Sequence, residues 1–248
     1  MTAPHRLLRA RRVVTTRAGG VSAAPYDSFN LADHVGDDPA AVAANRRRLA
    51  SVIGLPPERF VWMEQIHSRN VTVVDAPVPE PVPATDALVT RETGLALVTL
   101  SADCGSILLS DEVAGVIAAV HAGRVGARIG ILPRVLDVMV DLGARPDRIG
   151  ALLGPAASGR QYEVPAAMRA DVEAHLPGSA TRTNRGTPGL DLRAGLRRQL
   201  ADHGVTAVVE DPRCTIEDTS LFSHRRSAPT GRFASVVWLE EAGEEGTA

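Results

Sequence analysis

The apolar positions of this chain fall mostly into short runs, and runs of that kind mark strands buried on both faces. The clearest set lies between 95 and 120, where LALVTLSA, SILLS and VAGVIAAV are separated by DCG and by DEV. Upstream, Arg12–Thr16 reads as a strand entering the glycine turn Gly19-Gly20. Asp38–Ile53 reads as a helix, with Asp37, Asp38 and Pro39 at cap and first-turn positions. Alternation over 59–75 predicts strand, with Val61, Met63, Gln65 and His67 on one face. The proline-rich APVPEPVPA at 76–84 reads as an extended surface connection. A helix is expected over about 127–142, then a strand at IGALLG, a helix from near Pro165 and another over Asp191–Asp202. Strands at 205–209 and 232–239 complete the series, and the acidic tail over 240–248 is expected to fray. Strands and helices interleaved in this way predict an α/β protein.

Length and charge narrow the picture. A chain of 248 residues with 44% hydrophobic content and net charge −2 has room for a sizeable core and no electrostatic drive towards nucleic acid or anionic membrane. One domain is the default at this length, with two still compatible. The basic start is not followed by an apolar stretch of signal-peptide length, and VAGVIAAV is far shorter than the roughly 20 residues that span a bilayer. Two cysteines, Cys104 and Cys214, are too few for a disulfide framework and fit a reducing compartment, so a cytoplasmic protein is expected. All 27 basic residues are arginine. With no lysine there is no Walker-type phosphate loop, no Schiff-base amine and no Ser–Lys dyad, and any phosphate must be held by guanidinium groups.

The candidate chemistry gathers at strand ends. Asp103-Cys104-Gly105 follows the first apolar run and His121-Ala122-Gly123 the third, each placing a metal-capable side chain beside a residue small enough for close approach. With His67 they form a His, Cys, His set, the ligand chemistry of a catalytic zinc that keeps one position open. The separations match no finger or ribbon pattern, and each residue alone also reads as an ordinary core or satisfied polar group. TTRAGGVS offers Arg17 beside a Gly-Gly turn, an anion cradle or a plain surface hairpin. LFSHRRSAPTGR offers Arg225, Arg226 and Arg232, which line the same cavity in one reading and form a solvated charged loop in the other. His34 and His224 lie within motifs of their own, whereas His5, His175 and His203 have no such setting.

The ordered series TTRAGGVS, YDSFNLADHVGDDPAAVAANRRRLA, EQIHSRNV, ATDALVT, SADC, IAAVHAG, LLGPA, QYEV and FSHRRSAPTGR, from about residue 13 to 240, resembles the YfiH/YlmD laccase-domain proteins. That family is also labelled polyphenol oxidase and is understood as purine nucleoside phosphorylase. The resemblance implies a layered α/β sandwich with mixed sheets, a single domain over 1–248 with a core at about 12–240. It implies one zinc ion per chain on His67, Cys104 and His121. The implied activities are phosphorolysis of adenosine, inosine, guanosine and S-methyl-5′-thioadenosine to base and ribose 1-phosphate, and deamination of adenosine. Three positions depart from the family's pattern. HAGWRG is HAGRVG here, with Arg124 for tryptophan and Val125 for arginine; the cysteine-rich stretch before YEV is ASGRQ; and His224 stands for tyrosine in FSYRR.

Cys104, Asp103 and His121 are then the catalytic candidates, and Arg17, Arg124 and Arg225 the substrate or phosphate contacts. Zinc with Arg17 would orient phosphate, Asp103 would serve the leaving base, and Asp103 or Glu64 would carry the proton in deamination. Small-molecule nucleosides and phosphate are the expected partners, and the oligomeric state, a monomer included, stays open. Three other readings compete: a copper polyphenol oxidase, a Cys104–His121 nucleophilic enzyme, and a non-catalytic binding protein.

Overall fold

The computed structural model describes residues 7–242. Its strands are β1 (Leu8–Val14), β2 (Phe60–Val61), β3 (Val71–Val73), β4 (Ala87–Thr90), β5 (Ala96–Ser101), β6 (Gly105–Asp111) and β7 (Val116–Ala122). They continue with β8 (Gly150–Leu153), β9 (Ala180–Arg182), β10 (Pro188–Leu190), β11 (Ala207–Glu210) and β12 (Phe233–Glu241). The helices are α1 (Pro39–Ile53), α2 (Arg124–Arg128), α3 (Ile131–Asp141), α4 (Ala166–His175) and α5 (Leu192–Asp202). One mixed sheet has the order β1-β12-β5-β2, a second β11-β8-β6-β7-β4-β3, and β9 and β10 form a separate hairpin.

The two large sheets face one another through Val61, Leu97, Val237, Leu88, Leu108 and Ile117, all buried. The other side of the six-stranded sheet packs through Ile107, Leu109, Val120 and Leu153 on Ile131, Val135, Val172 and Leu196 of α3, α4 and α5. The other side of the four-stranded sheet packs through Val98 and Val236 on Phe29, Leu31 and Leu49. Helix, sheet, sheet and helix therefore stack as a layered α/β sandwich with mixed sheets in a single domain, as expected. The central strands are covered on both faces, which is why β5, β6 and β7 read as apolar runs instead of alternating.

Several boundaries differ from expectation. The stretch 59–75 is not continuous strand: only β2 and β3 pair, Met63 makes an isolated bridge to Val82, and His67 sits in a loop at φ 61. Hydrogen bonds to a buried carboxylate shape that loop, and hydrophobic periodicity is blind to them. The helix expected over 127–142 breaks at Gly130, whose φ of 86 belongs to the left-handed region and separates α2 from α3. The first strand starts at Leu8 and ends at Val14, so Thr15 and Thr16 lie outside it. β4 and the β9–β10 hairpin were not expected. Glu240 and Glu241 are paired in β12 opposite Arg9 and Leu8 and are not a frayed tail, while His5 and residues 243–248 lie outside the described residues. Among the described residues no helix is long and apolar enough to cross a membrane.

A fully buried carboxylate, Asp111, ties the far end of the β6–β7 hairpin to the segment after α3. It accepts from the backbone N–H of Val113 and Ala114, each at 3.0 Å, and from Arg145 N and Arg148 Nε, each at 2.9 Å. Burial works against its charge, but these bonds hold its pKa below the ordinary carboxylate value. Its contribution to stability is therefore complete above the unfolded-state pKa of about 3.9 and is lost as pH falls through the lower folded value. Urea unfolding of Asp111→Asn at neutral pH should show a loss of about 1–3 kcal/mol, and the gap from wild type should narrow as pH drops below about 4.

Candidate metal centre

Strand register brings the chemistry together. In the β4–β7 pairing Ala87 lies opposite Val120, so the preceding Asp86 comes opposite His121, and its carbonyl accepts from His121 N at 2.8 Å. In the β6–β7 pairing Gly105 lies opposite Ala122 and Ser106 opposite His121. That leaves Cys104 at the mouth of the same strand pair. The SADC segment is where the chain crosses from the four-stranded sheet to the six-stranded one. Asp103 turns it at φ 101, and Ser101 Oγ donates to Cys104 O at 2.6 Å.

His67 arrives from the 62–70 loop, which is fastened at two places. The Gln65 amide pairs with the end of β5 as a strand neighbour would, donating to Leu100 O at 2.8 Å and accepting from Leu100 N at 2.7 Å. The Asp86 carboxylate accepts from Ile66 N at 3.3 Å, His67 N at 3.0 Å, Ser68 N at 2.6 Å and Ser68 Oγ at 2.7 Å. The same carboxylate, 0% exposed, also meets His121 Nδ1 at 2.9 Å. One acid thus fixes the ring of one histidine and the left-handed backbone of the other, the outer-shell arrangement that orients metal-binding imidazoles.

The result is a trio whose ligand atoms on His67, Cys104 and His121 all lie within 4.8 Å of one another. The two rings meet edge to face with centroids 4.8 Å apart. Gly123 is what lets them approach. A Cβ there would stand 2.3 Å from His67 Nδ1 and 3.2 Å from Cys104 Sγ, so no other residue fits without displacing the trio. Burial works against a charged His121, but its contacts with Asp86 and Cys104 dominate and raise its pKa to about 9. Burial, with the charges of His121 and Arg124, lowers that of His67. Burial opposes the Asp86 charge too, yet its bonds from His121 and Ser68 hold its pKa below the ordinary value.

The trio lies in a cavity of about 390 Å³ whose lining also includes Asp103, Arg124, Tyr162, His224, Arg225 and Arg232. Arg124 and Arg225, both expected to contact phosphate, line this cavity, and Val125, exposed, is outside the lining. Arg17 is also outside it. Its guanidinium is held by Asp27 O at 2.8 Å and Asp27 Oδ2 at 3.0 Å, and packs over Phe222. The Gly-Gly turn is no open cradle either, since Gly20 N donates to Ser28 Oγ and Val21 N to Asn45 Oδ1. Glu64 likewise lies elsewhere, accepting from Ala84 N.

Asp103 reaches the cavity wall, but both its oxygens are occupied. Thr215 Oγ1 and Ser223 Oγ donate to Oδ1 at 2.5 and 2.6 Å, and Arg225 N donates to Oδ2 at 2.6 Å. It clamps the 215–225 loop against the sheet crossing. The arginines of that loop are not simply solvated. Arg226 donates to the carbonyls of Thr215, Asp218 and Leu221, holding the loop's shape. Arg232 is substantially buried. Its Nη1 donates to Thr230 O and Gly231 O, and Nε and Nη2 have no acceptor among the described residues. Burial lowers its pKa, with Cys104 and Asp103 pulling the other way. Sequence reasoning missed Asp86, whereas Arg232, offered by the LFSHRRSAPTGR segment, does line the cavity. Asp86 stands in the ATDALVT motif, where an acid between Thr85 and an apolar strand is the available signal.

A layered α/β domain that gathers two imidazoles and a thiol at a sheet-to-sheet crossing is a protein with a candidate three-ligand metal centre. The family described as multi-copper polyphenol oxidoreductase laccase matches residues 11–240, and the chain belongs to it. It is 62% identical over 233 residues to a purine nucleoside phosphorylase of Mycobacterium tuberculosis, covering 94% of this chain and 93% of that one. A purine nucleoside phosphorylase of Corynebacterium glutamicum is 64% identical over 231 residues, 92% and 94% of the two chains. The crystal structure of YlmD from Geobacillus stearothermophilus superposes with a TM-score of 0.88 at 32% identity, covering 94% of this chain and 92% of that one. YfiH of Bacillus licheniformis gives 0.87 at 28%, covering 93% of each. The family expected from the ordered motifs is the family found.

Asp86→Asn keeps the size of the side chain while putting an amide where one carboxylate now serves His121 and three backbone N–H groups. Hydrogen exchange should then quicken roughly 10- to 100-fold at Ile66, His67 and Ser68, with amides around Asp111 unchanged. Unaltered exchange in the 66–68 loop would mean that Asp86 does not hold it.

Proposed function

We propose that the protein is a zinc-dependent purine nucleoside phosphorylase that cleaves adenosine, inosine, guanosine and S-methyl-5′-thioadenosine, and that it deaminates adenosine in the same cavity. The observation carrying this reading is the meeting of His67, Cys104 and His121 in a cavity that also presents Arg124, Arg225 and Arg232. The names of the relatives at 62% and 64% identity support phosphorolysis.

The donor set suits zinc. A neutral imidazole pair and a thiolate are its ordinary ligands, a tetrahedral ion leaves one position free, and among the described residues this is one three-ligand group with no second cluster beside it to build a multinuclear copper site. His121 meets Asp86 through Nδ1, which leaves Nε2 for the metal. To bind a metal, His121 would have to give up the proton that its contacts with Asp86 and Cys104 favour. Bound there, zinc supplies Lewis acidity to phosphate or to an attacking water.

The chain's own groups do the rest. The Arg124 guanidinium makes no hydrogen bond to a described residue, and Arg232 keeps two nitrogens free, so both serve an anion. Held against them, a phosphate oxygen attacks C1′, the N-glycosidic bond breaks, and its electron pair leaves on the purine, which takes up a proton. His224 lines the cavity and is assigned as the donor. Leu100, Ala102, Ala157 and Leu192 form the apolar wall for the base. Asp103 acts by positioning Arg225 and Ser223. In deamination, water oxygen bonds to C6 of adenosine and the amino group departs as ammonia, leaving inosine.

Purified protein should hold one zinc per chain by elemental analysis, and Cys104→Ala should lose both metal and turnover. With a nucleoside panel read by chromatography, free base should appear only when phosphate is present. Full activity in a chelated, metal-free sample would favour Cys104 as a nucleophile and overturn the zinc reading.

Arg232→Ala should raise the KM for phosphate roughly 10- to 100-fold with zinc content unchanged. An unchanged phosphate KM would remove Arg232 from the phosphate site.

A further inference from the structure

A second and larger cleft, about 630 Å³, lies beside the metal cavity and shares Arg225 with it. Its walls come from the 160–166 segment, from Thr183 to Pro188 around the β9–β10 turn, and from Ile216. The charges in this lining are uneven. Arg160, Arg185 and Arg225 face a single carboxylate, Glu163.

The three guanidiniums are poorly neutralised by the protein. Arg185 has no side-chain hydrogen bond or ion pair among the described residues. Arg160 has its acidic neighbour, Glu217, at 3.9 Å. Arg225 reaches only the Glu163 carbonyl, at 3.4 Å, and otherwise lies over the Tyr162 ring at 5.0 Å. The backbone keeps two of them together, since Asn184 N donates to Arg160 O at 3.0 Å and so ties the turn bearing Arg185 to the segment bearing Arg160. The hydroxyls of Thr183 and Thr187 meet at 2.6 Å in the same wall. Three guanidiniums that share one long carboxylate contact, gathered beside hydroxyls in a concave site, are a phosphate-binding chemistry.

Tyr162 and Arg225 form the partition between the two spaces. Tyr162 lines the metal cavity, its neighbours Gln161 and Glu163 line the outer cleft, and Arg225 lines both. We propose that the outer cleft is a subsite for the phosphate chain of a purine nucleotide whose base and ribose occupy the metal cavity, with Arg225 bridging the two parts. The inference rests on reading the inner cavity as a nucleoside site. It makes a nucleoside 5′-diphosphate a competitive ligand that binds more tightly than the bare nucleoside.

The test uses the zinc-loaded full-length protein, wild type and the double variant Arg160→Ala/Arg185→Ala, neither residue lying in the metal cavity. Adenosine phosphorolysis is measured at increasing adenosine 5′-diphosphate, and binding of inorganic pyrophosphate is followed by calorimetry. The expected result is competition by the diphosphate against adenosine that weakens at least tenfold in the double variant, with kcat and KM for adenosine unchanged. Pyrophosphate binding should weaken in parallel. Equal inhibition of the two proteins would overturn the subsite, as would inhibition that adenosine does not relieve. The failures are separable: absence of adenosine turnover in wild type would sink the nucleoside reading itself, whereas pyrophosphate binding unchanged by the double variant would sink only the outer cleft.

Discussion

The buried carboxylate of Asp86 accepts from the backbone of Ile66, His67 and Ser68 and from the His121 ring at once, so the loop bearing one imidazole and the strand bearing the other share an acceptor. Burying a charge is costly unless hydrogen bonds satisfy it, and here every donor that does so comes from the site's own framework. The cost of Asp86 is therefore offset only when the 66–68 loop has closed against β4 and β7. Local order and the geometry of the trio become one event.

A second constraint is steric. The chain crosses between sheets at Ala102–Cys104, and Gly123 leaves the space into which His67 and Cys104 project. The site needs both: strand pairing fixes where Cys104 and His121 emerge, and the missing side chain lets the third group join them. Asp103 then extends the same framework outward. By holding Thr215, Ser223 and Arg225 it connects the rigid sheet crossing to the loop that carries His224 and Arg225 into the cavity lining.

Much of this was legible in the residues. The apolar runs located β5, β6 and β7, because strands covered on both faces need no polar alternation, and the cap at Asp38 located α1. The positions of Cys104 and His121 at strand ends followed from the same runs. What was not legible depends on pairings distant in sequence. Alternation among its neighbours places His67 in a strand, whereas Asp86 and Gln65 draw it into a loop through bonds made 19 and 35 residues away. The sequence makes Arg17 a phosphate contact and gives Arg232 no stronger claim than its loop neighbours. Only folding shows that Asp27 occupies the first and that the second lies in the cavity wall with two nitrogens unclaimed.

The floor and the rim of the cavity are built from different kinds of chain. The trio and Asp86 are locked by register and close contact, where nearly any exchange disturbs several partners together. Arg225 and His224 stand on a turn and Arg124 on the short helix α2, where a side chain can change without moving the trio. Such a division lets lineages inherit one reaction centre intact while trading the surfaces that choose what reaches it, so diversification in this fold should run around the cavity's mouth and leave its base alone.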